Sequence, residues 1–171
     1  MKLGRFLLSI PLFLLLGIAS ISSADWISRS QVPTDLVEWL IKDISKTQRL
    51  SSEVLEDLNK NLKCELHDLN GDGLPEFLLY IDSHFWCGAG TANCNYWVVQ
   101  KTPKGYKLLL DDKVIRVQDT VTNGYHDLAS ELTSGCTQEL FAKEIHVTIY
   151  RYDGKQYRAV RRHVGFRPFQ K

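Results

Sequence analysis

The sequence predicts an α+β fold, in which an N-terminal helical pair packs on an antiparallel β-meander sheet of about seven strands. Three observations indicate this fold. Apolar residues recur at helical spacing up to residue 61, they alternate with polar residues from residue 62 onward, and turn sequences separate the alternating segments. Apolar types make up 44% of the 171 residues and charged types 24%, an ordinary globular balance. The formal charge of +1 excludes a polybasic nucleic-acid binder.

Residues 1–24 have the features of a secretory signal peptide. Lys2 and Arg5 precede an apolar stretch over residues 6–18, and Ser22 and Ala24 supply the small residues that a signal peptidase requires. A membrane-spanning helix needs about 20 predominantly apolar residues, and this stretch is shorter. We therefore expect a secreted or periplasmic protein without a stable membrane anchor after cleavage. Residues 25–171 then form a single domain.

Two helices are predicted in the helical part of this domain, residues 25–61. Pro33 and Thr34 suit the first turn of one helix, and Ser51 or Ser52 suits the cap of the next. Apolar residues at helical spacing line one face of each helix: Leu36, Val37, Leu40, Ile41 and Ile44 in the first, and Val54, Leu55 and Leu58 in the second.

Residues 62–171 are predicted to form the β-meander. Leu62, Cys64 and Leu66 alternate with polar residues, which is the period of a half-buried strand. Further strands are predicted at residues 77–81, 96–100, 106–110, 114–117, 128–132, 145–150 and 156–160. Turn residues at 102–105 and 152–155 are typical of hairpins.

A shift of 51 residues aligns the two halves of the β region without a gap. The matched pairs are Asp68 with Asp119, Asp72 with Asn123, Gly73 with Gly124, Glu76 with Asp127, Val98 with Ile149, and Tyr106 with Tyr157. The alignment predicts two pseudo-repeats. The alternative is that any two β-meanders share turns and aromatic residues.

Four cysteines in an exported chain favour disulfides, because their number is even and the compartment is oxidising. Cys87 and Cys94 enclose a short loop that contains glycine, so their Cα atoms can approach to the about 6 Å of a disulfide. Cys64 and Cys136 then pair by elimination. A Cys/His zinc site is disfavoured, since neither a C-x2-C nor an H-x3-H spacing is present.

Residues 68–76 read Asp-Leu-Asn-Gly-Asp-Gly-Leu-Pro-Glu and form a candidate cation loop. Oxygen-bearing side chains alternate around a glycine that can take the positive φ of a tight turn. Calcium takes six to eight oxygen ligands, whereas magnesium demands a stricter octahedron, so calcium is favoured. The alternative is a cluster of Asx-turns in which the same side chains only cap backbone amides. The matched segment 119–127 has Val121 in place of one oxygen, and we expect it to turn without metal.

The loop resembles the calcium loop of FG-GAP repeats, of the integrin-propeller and VCBS type, in which D-x-[DN]-x-D-G-x-x-[DE] lies between two strands of a β-meander. An EF-hand is disfavoured, because its twelfth position is Leu79 here and a strand follows instead of a helix. The Phe-Gly and Gly-Ala-Pro strings of the family are absent, and two repeats are too few to close a propeller. The resemblance implies a structural calcium ion held by Asp68, Asn70, Asp72, the Leu74 carbonyl and Glu76.

Two other groups of residues are candidates for binding a partner. Trp86, Tyr96 and Trp97 flank the cysteine loop and can form an aromatic platform, although such residues in short strands commonly belong to the core. Residues 151–171 hold seven basic residues and one acidic residue. Arg158, Arg161 and Arg162 can therefore dock on an anionic glycan, a lipid headgroup or an acidic protein. The alternative is a solvated or frayed terminus.

These features predict an exported, non-enzymatic binding protein with a structural calcium loop and a disulfide-stapled recognition loop, whose partner is an unknown protein or glycan. One alternative is an inhibitor or immunity protein that inserts residues 83–95 into an exported hydrolase. Another is a metal-assisted hydrolase that uses His67 or His126 beside the metal loop. No histidine lies in a recognisable nucleophile motif, which disfavours the hydrolase.

Overall fold

A computed structural model describes residues 25–87, 93–137 and 142–168, with the side chains of 25–26, 134–143 and 166–168 left undescribed. The predicted signal peptide lies outside the described residues. The described residues form nine strands, three α-helices and a short 3-10 helix, Arg29–Gln31. The order is β1 Asp25–Ile27, α1 Thr34–Ile44, α2 Ser52–Asn61, β2 Leu62–His67, β3 Glu76–Ile81, α3 His84–Cys87, β4 Asn95–Thr102, β5 Gly105–Lys113, β6 Ile115–Thr122, β7 Tyr125–Thr137, β8 Ala142–Tyr152 and β9 Tyr157–Pro168.

The predicted helical pair is confirmed by α1 and α2. The hydroxyl oxygen of Ser51 accepts a hydrogen bond from the Val54 N–H at 3.3 Å, which caps α2 as the sequence indicated. Helix α1 buries Leu36, Val37, Leu40 and Ile44 on one face, and α2 buries Leu58. Among the described residues, no helix has the length and apolar character needed to cross a membrane.

The strands form two antiparallel sheets, so the predicted single sheet of about seven strands is wrong. Strands β1 to β5 follow one another in a five-stranded sheet, the first sheet, and β6 to β9 in a four-stranded sheet, the second sheet. Val114 separates β5 from β6 and has a φ of 48°, a left-handed conformation that is rare for a β-branched residue. The chain changes direction there and starts a new sheet instead of adding another hairpin.

The molecule has three layers, which are the helices, the first sheet and the second sheet. A hydrophobic core lies between each two adjacent layers. The helices cover one face of the first sheet, and the core there includes Leu40, Leu58, Leu79, Trp97 and Val99. The opposite face of the first sheet packs on the second sheet through Leu78, Val98, Leu110, Leu128 and Tyr152, among others. Strand alternation explains the division, because neighbouring residues such as Leu78 and Leu79 point to opposite faces.

The two sheets repeat the same strand register at the predicted offset of 51 residues. Leu66 pairs with Phe77 in the first sheet, and Val117 pairs with Leu128 in the second. The register also shifts at equivalent points, between Val98 and Val99 and between Ile149 and Tyr150. Shared turns alone do not place a bulge at the same position, so strands β2 to β5 and β6 to β9 are structurally equivalent.

Candidate functional site

The candidate cation loop connects β2 to β3, so strands flank it on both sides as the sequence predicted. Gly71 and Gly73 have φ values of 72° and 82°, which only glycine adopts without strain. The Asp68 carboxylate lies inside the turn and accepts the Gly71 N–H at 2.8 Å and the Gly73 N–H at 2.9 Å. The first acidic residue of the motif therefore organises the loop backbone.

Asn70 and Asp72 add two further turns of the Asx kind. The side-chain oxygen of Asn70 accepts the Asp72 N–H at 2.9 Å, and the Asp72 carboxylate accepts the Leu74 N–H at 2.7 Å. These hydrogen bonds are those of the Asx-turn alternative. Leu74 points away from the loop, and its side chain is 72% exposed.

Glu76 is the buried member of the loop, with only 2% of its surface exposed. One of its carboxylate oxygens accepts the Leu69 N–H at 2.8 Å, and the other accepts from the Gln100 amide at 3.1 Å and from the Asn70 amide at 3.4 Å. Burial raises the pKa of Glu76, the hydrogen bonds from Leu69 and Gln100 oppose the rise, and Asp72 and Asp68 add to it. The carboxylate thus lacks a positively charged partner in the first sheet.

The second sheet holds this loop through Tyr125 and His126. The Tyr125 hydroxyl oxygen accepts from the Gln100 amide at 2.8 Å and from the Asn70 amide at 3.2 Å. The backbone N–H of His126 donates to the Leu69 carbonyl at 2.7 Å. The Tyr125 ring stacks on Tyr152, with ring centroids 3.9 Å apart. The loop is therefore a contact between the two repeats as well as a turn within the first.

The donor set of the loop fits a calcium ion in type, since it has three carboxylates and an amide oxygen. Asp72 and Glu76 both accept from one Asn70 amide nitrogen, at 2.9 and 3.4 Å, so their oxygens lie around a single donor. Among the His, Cys, Asp and Glu side chains of the described residues, the only three whose ligand atoms all lie within 4.8 Å of one another are Asp82, Cys87 and Cys94, so the three loop carboxylates do not form such a group. Both sulfurs there are in a disulfide and offer no thiolate.

The matched segment in the second repeat is a β-hairpin whose register shifts between Val117 and Val121, not a loop like residues 68–76. Strand β6 runs to Thr122 and β7 starts at Tyr125, with Asn123 and Gly124 at φ values of 52° and 79° between them. These angles are those of a two-residue type I′ turn. Asp127 takes the place of Glu76 and is equally buried, but its partners are Thr120 and Arg151.

The disulfide prediction is confirmed for one pair of cysteines and wrong for the other. Cys87 and Cys94 are bonded to each other. Cys64 is a free thiol with no exposed surface, so the predicted bridge to Cys136 is absent. Cys64 lies in the core beneath the helices, on the face of the first sheet that points away from the second sheet, whereas Cys136 belongs to strand β7. Burial raises the pKa of the Cys64 thiol to about 12.

The predicted aromatic platform is largely part of the core. Trp86 and Trp97 are 6% and 3% exposed and pack edge to face, so neither is available to a partner. Tyr96 is half-buried and stacks on Tyr80. The exposed aromatic residue of this region is Phe85, at 70%, on the four-residue helix α3 that occupies part of the predicted loop 83–95. Residues 88–92 lie outside the described residues.

The three arginines predicted to bind a partner lie on different faces of the second sheet. Strand register places Arg158 beside Arg151 and Arg161 beside Ile149, on the face turned away from the first sheet. Arg162 pairs with Thr148 and lies on the opposite face. The predicted basic cluster is therefore divided, and Arg158 and Arg161 share their face with Arg116 and Arg151.

The two histidines considered as general bases have their rings engaged in local contacts. His67 lies 3.0 Å from the Glu65 carboxylate, and His126 Nδ1 donates to the Gln118 carbonyl at 2.7 Å. The sequence did not identify Gln100, Tyr125 and Phe85 as members of these sites. The offset of 51 residues was the available signal for Gln100, because it aligns this residue with Arg151, the partner of Asp127.

Comparison of the chain with models of protein families, with curated proteins and with solved structures finds no match.

Proposed function

We propose that this chain is an exported, non-enzymatic binding protein, in which a calcium ion rigidifies loop 68–76 and the disulfide-stapled segment around Phe85 contacts a protein or glycan partner. The observation that carries the proposal is the exposure of Phe85 on a helix that ends in the Cys87–Cys94 disulfide. A large apolar side chain held outward on a constrained segment is typical of a binding residue.

The stapled segment is supported from two sides. The Ser83 hydroxyl donates to the Asp57 carboxylate of α2 at 2.5 Å. On the other side, the Asn93 side chain donates to the Thr133 carbonyl at 2.9 Å and accepts the Thr133 N–H at 3.1 Å. Side chains that are already held in place, as on residues 83–87, lose little conformational entropy when they bind, which favours a recognition role.

The calcium part of the proposal is supported by the charge and the hydrogen bonds of the loop. Asp68, Asp72 and Glu76 place three carboxylates within nine residues, and the buried Glu76 forms no ion pair with the described residues. A divalent cation would replace the Asn70 amide as the partner of Asp72 and Glu76, and it would offset the cost of burying the Glu76 charge. The resemblance to FG-GAP calcium loops remains a prediction and points to the same ion.

Thermal unfolding with and without calcium tests this assignment. A ligand that binds only the folded state stabilises it by about 2.7 kcal/mol when its concentration is 100 times the dissociation constant. For a domain of this size, 1 kcal/mol raises Tm by about 2–4 °C, so we expect a rise of about 5–10 °C. Magnesium should produce a smaller rise, because it requires stricter octahedral geometry.

The repeat supplies a matched control for the calcium experiment. Asp68→Ala should abolish the rise in Tm caused by calcium, whereas Asp119→Ala, at the equivalent position of the second repeat, should preserve it. The change in Tm on adding calcium is measured within each variant, because Asp68→Ala also removes two hydrogen bonds that cap the loop backbone and so lowers the Tm without calcium. A wild-type Tm that does not respond to millimolar calcium would contradict the structural calcium site.

The exposure of Phe85 also supports a second candidate, an inhibitor of an exported hydrolase. In that case the segment should enter an active site, and the purified protein should inhibit one enzyme in a panel of cell-wall hydrolases and proteases. Phe85→Ala should weaken the inhibition, and Val160→Ala, which changes an apolar residue that is 51% exposed elsewhere, should leave it unchanged. Equal loss in both variants, or no inhibition by the wild type, would argue against this candidate.

A further inference from the structure

We propose that the face of the second sheet turned away from the first sheet, here called the outer face, is a docking surface for an acidic protein that presents an apolar centre. The outer face comprises Arg116, Asp127, Ala129, Glu131, Ile145, Val147, Ile149, Arg151, Arg158, Arg161 and His163. The inference does not rest on Phe85 or on the calcium loop, although Thr133, which pairs with Ile145 of the outer face, contacts Asn93 of the stapled segment.

Through the structural repeat, the outer face of the second sheet is equivalent to the face of the first sheet that packs on the second sheet. In the first sheet, Leu78, Val98 and Leu110 lie on the face that packs on the second sheet. The residues 51 positions later are Ala129, Ile149 and Arg161, and they lie on the outer face. The same face of the repeated unit is thus covered in the first copy, whereas in the second copy Ile149 is half-buried, Arg161 is exposed, and of the three residues only Ala129 is buried.

The centre of the outer face is apolar and open enough to contact a partner. Ile145, Val147 and Ile149 alternate along β8 on this face, and all three are half-buried. Arg161 instead of Leu110 makes the face more polar than its covered equivalent, and Ala129 instead of Leu78 reduces its apolar area. A polar rim around an apolar centre is typical of an interface whose partner dissociates, whereas a permanent core is more apolar.

The rim carries an excess of positive charge. Arg116, Arg151 and Arg158 pair with the carboxylates of Glu131, Asp127 and Asp153, and Arg161 adds a further positive charge on this face. The side chains of the first three are 60%, 55% and 64% exposed, although each forms an ion pair. The complementary partner therefore has acidic residues around its own apolar patch.

A second copy of this chain fits the outer face poorly. Two outer faces packed on each other would bring like charges together, which costs free energy. In a head-to-tail stack, the outer face of one copy would have to pack on the free face of the first sheet of the next copy. Helices α1 and α2 already cover that face of the first sheet. The occupant is therefore a different, acidic protein.

Binding of synthetic peptides, measured by amide chemical shifts, tests the proposal on the full domain. The probe has a short apolar centre flanked by glutamates, and the matched peptides carry lysines instead of glutamates or serines instead of the apolar centre. We expect only the probe to bind, with shifts at Val147 and Ile149 and with weaker binding at higher salt. Binding of the lysine peptide or of the serine peptide with equal affinity would overturn the proposal.

Two charge-matched variants locate the site. Arg116→Ser with Arg161→Ser removes the arginines at both ends of the row that holds Ala129 and Ile149, and should weaken binding by about tenfold. Arg49→Ser with Arg162→Ser removes the same charge from exposed positions off the outer face and should leave the affinity unchanged. The proposal would be refuted if both variants weakened binding equally, or if heparin or anionic vesicles bound more tightly than the peptide. A wild-type dimer that Val147→Lys breaks would also refute it.

Discussion

The Tyr125 hydroxyl connects the second sheet to the cation loop, and removing it should weaken the fold measurably. Tyr125→Phe deletes the oxygen that accepts from Gln100 at 2.8 Å and from Asn70 at 3.2 Å. The ring keeps its stacking on Tyr152 and its edge contact with Tyr157, so the packing is preserved. Only the hydrogen bonds change.

The expected cost follows from what the two donors retain. Both amides still reach the same Glu76 oxygen, at 3.1 and 3.4 Å, so neither is left fully unsatisfied. The loss is then close to one or two net hydrogen bonds, about 1–2 kcal/mol, instead of the larger penalty for an orphaned buried donor. For a domain of this size the Tm should fall by about 2–8 °C.

Urea unfolding of the calcium-free protein measures this loss, with Tyr106→Phe as the control. The Tyr106 hydroxyl donates to Asp35 at 3.0 Å on the exposed side of the helical layer, so its removal should cost less than about 0.5 kcal/mol. A Tyr125→Phe variant as stable as the wild type would refute the link between loop and second sheet. A loss above about 4 kcal/mol would show that the ring packing had changed as well.

Three further predictions follow from burial and charge. Cys64 should resist iodoacetamide at pH 8 in the native protein and react without reductant after unfolding. The reason is that the thiolate is the reactive form and burial raises the pKa of the Cys64 thiol to about 12. Rapid labelling of the native protein would contradict a buried free thiol. Hydrogen bonds from the backbone of Gln156 and Lys155 and from Arg158 lower the pKa of Asp153 to about 2. Its support of the β8–β9 turn should therefore be complete above about pH 4 and lost as the pH falls towards 2, which carboxylate NMR shifts would follow. Trp97→Ala should lower the free energy of unfolding by about 3–5 kcal/mol, because Trp97 is buried, while Phe85→Ala should change it by less than about 0.5 kcal/mol, because Phe85 is exposed. Similar losses for the two variants in calorimetry would contradict this difference in burial.

Much of the local structure could be predicted from the sequence. The spacing of Leu36, Leu40 and Ile44 is that of an amphipathic helix, and the alternation around Cys64 is that of a strand, because both patterns depend only on backbone period. Each predicted strand overlaps an observed one. Strand β1 was missed because its three residues are too few to show a period. Helix α3 was missed because its four residues lie in a segment that has the composition of a loop.

The candidate site was predicted only in part, for a physical reason. Residues 68–76 fold their own backbone, so the turn and its carboxylates can be inferred from local spacing. Gln100 and Tyr125 come from two other strands and contact the loop only after the sheets pack. Trp86 and Trp97 have the composition of a binding platform, but their burial depends on the helices that cover the first sheet.

The sequence by itself determined the elements, the glycine turns, the short-range disulfide and the offset of 51 residues between the two halves, because each of these depends on neighbours along the chain or on periodicity. Only the tertiary structure decided that the strands divide into two sheets at Val114, that Cys64 is free and that Ile149 and Arg161 of the second sheet keep exposed surface where their first-sheet equivalents are buried. Those outcomes depend on which surfaces meet in space. Such contacts join residues far apart in the chain, and local patterns do not encode them.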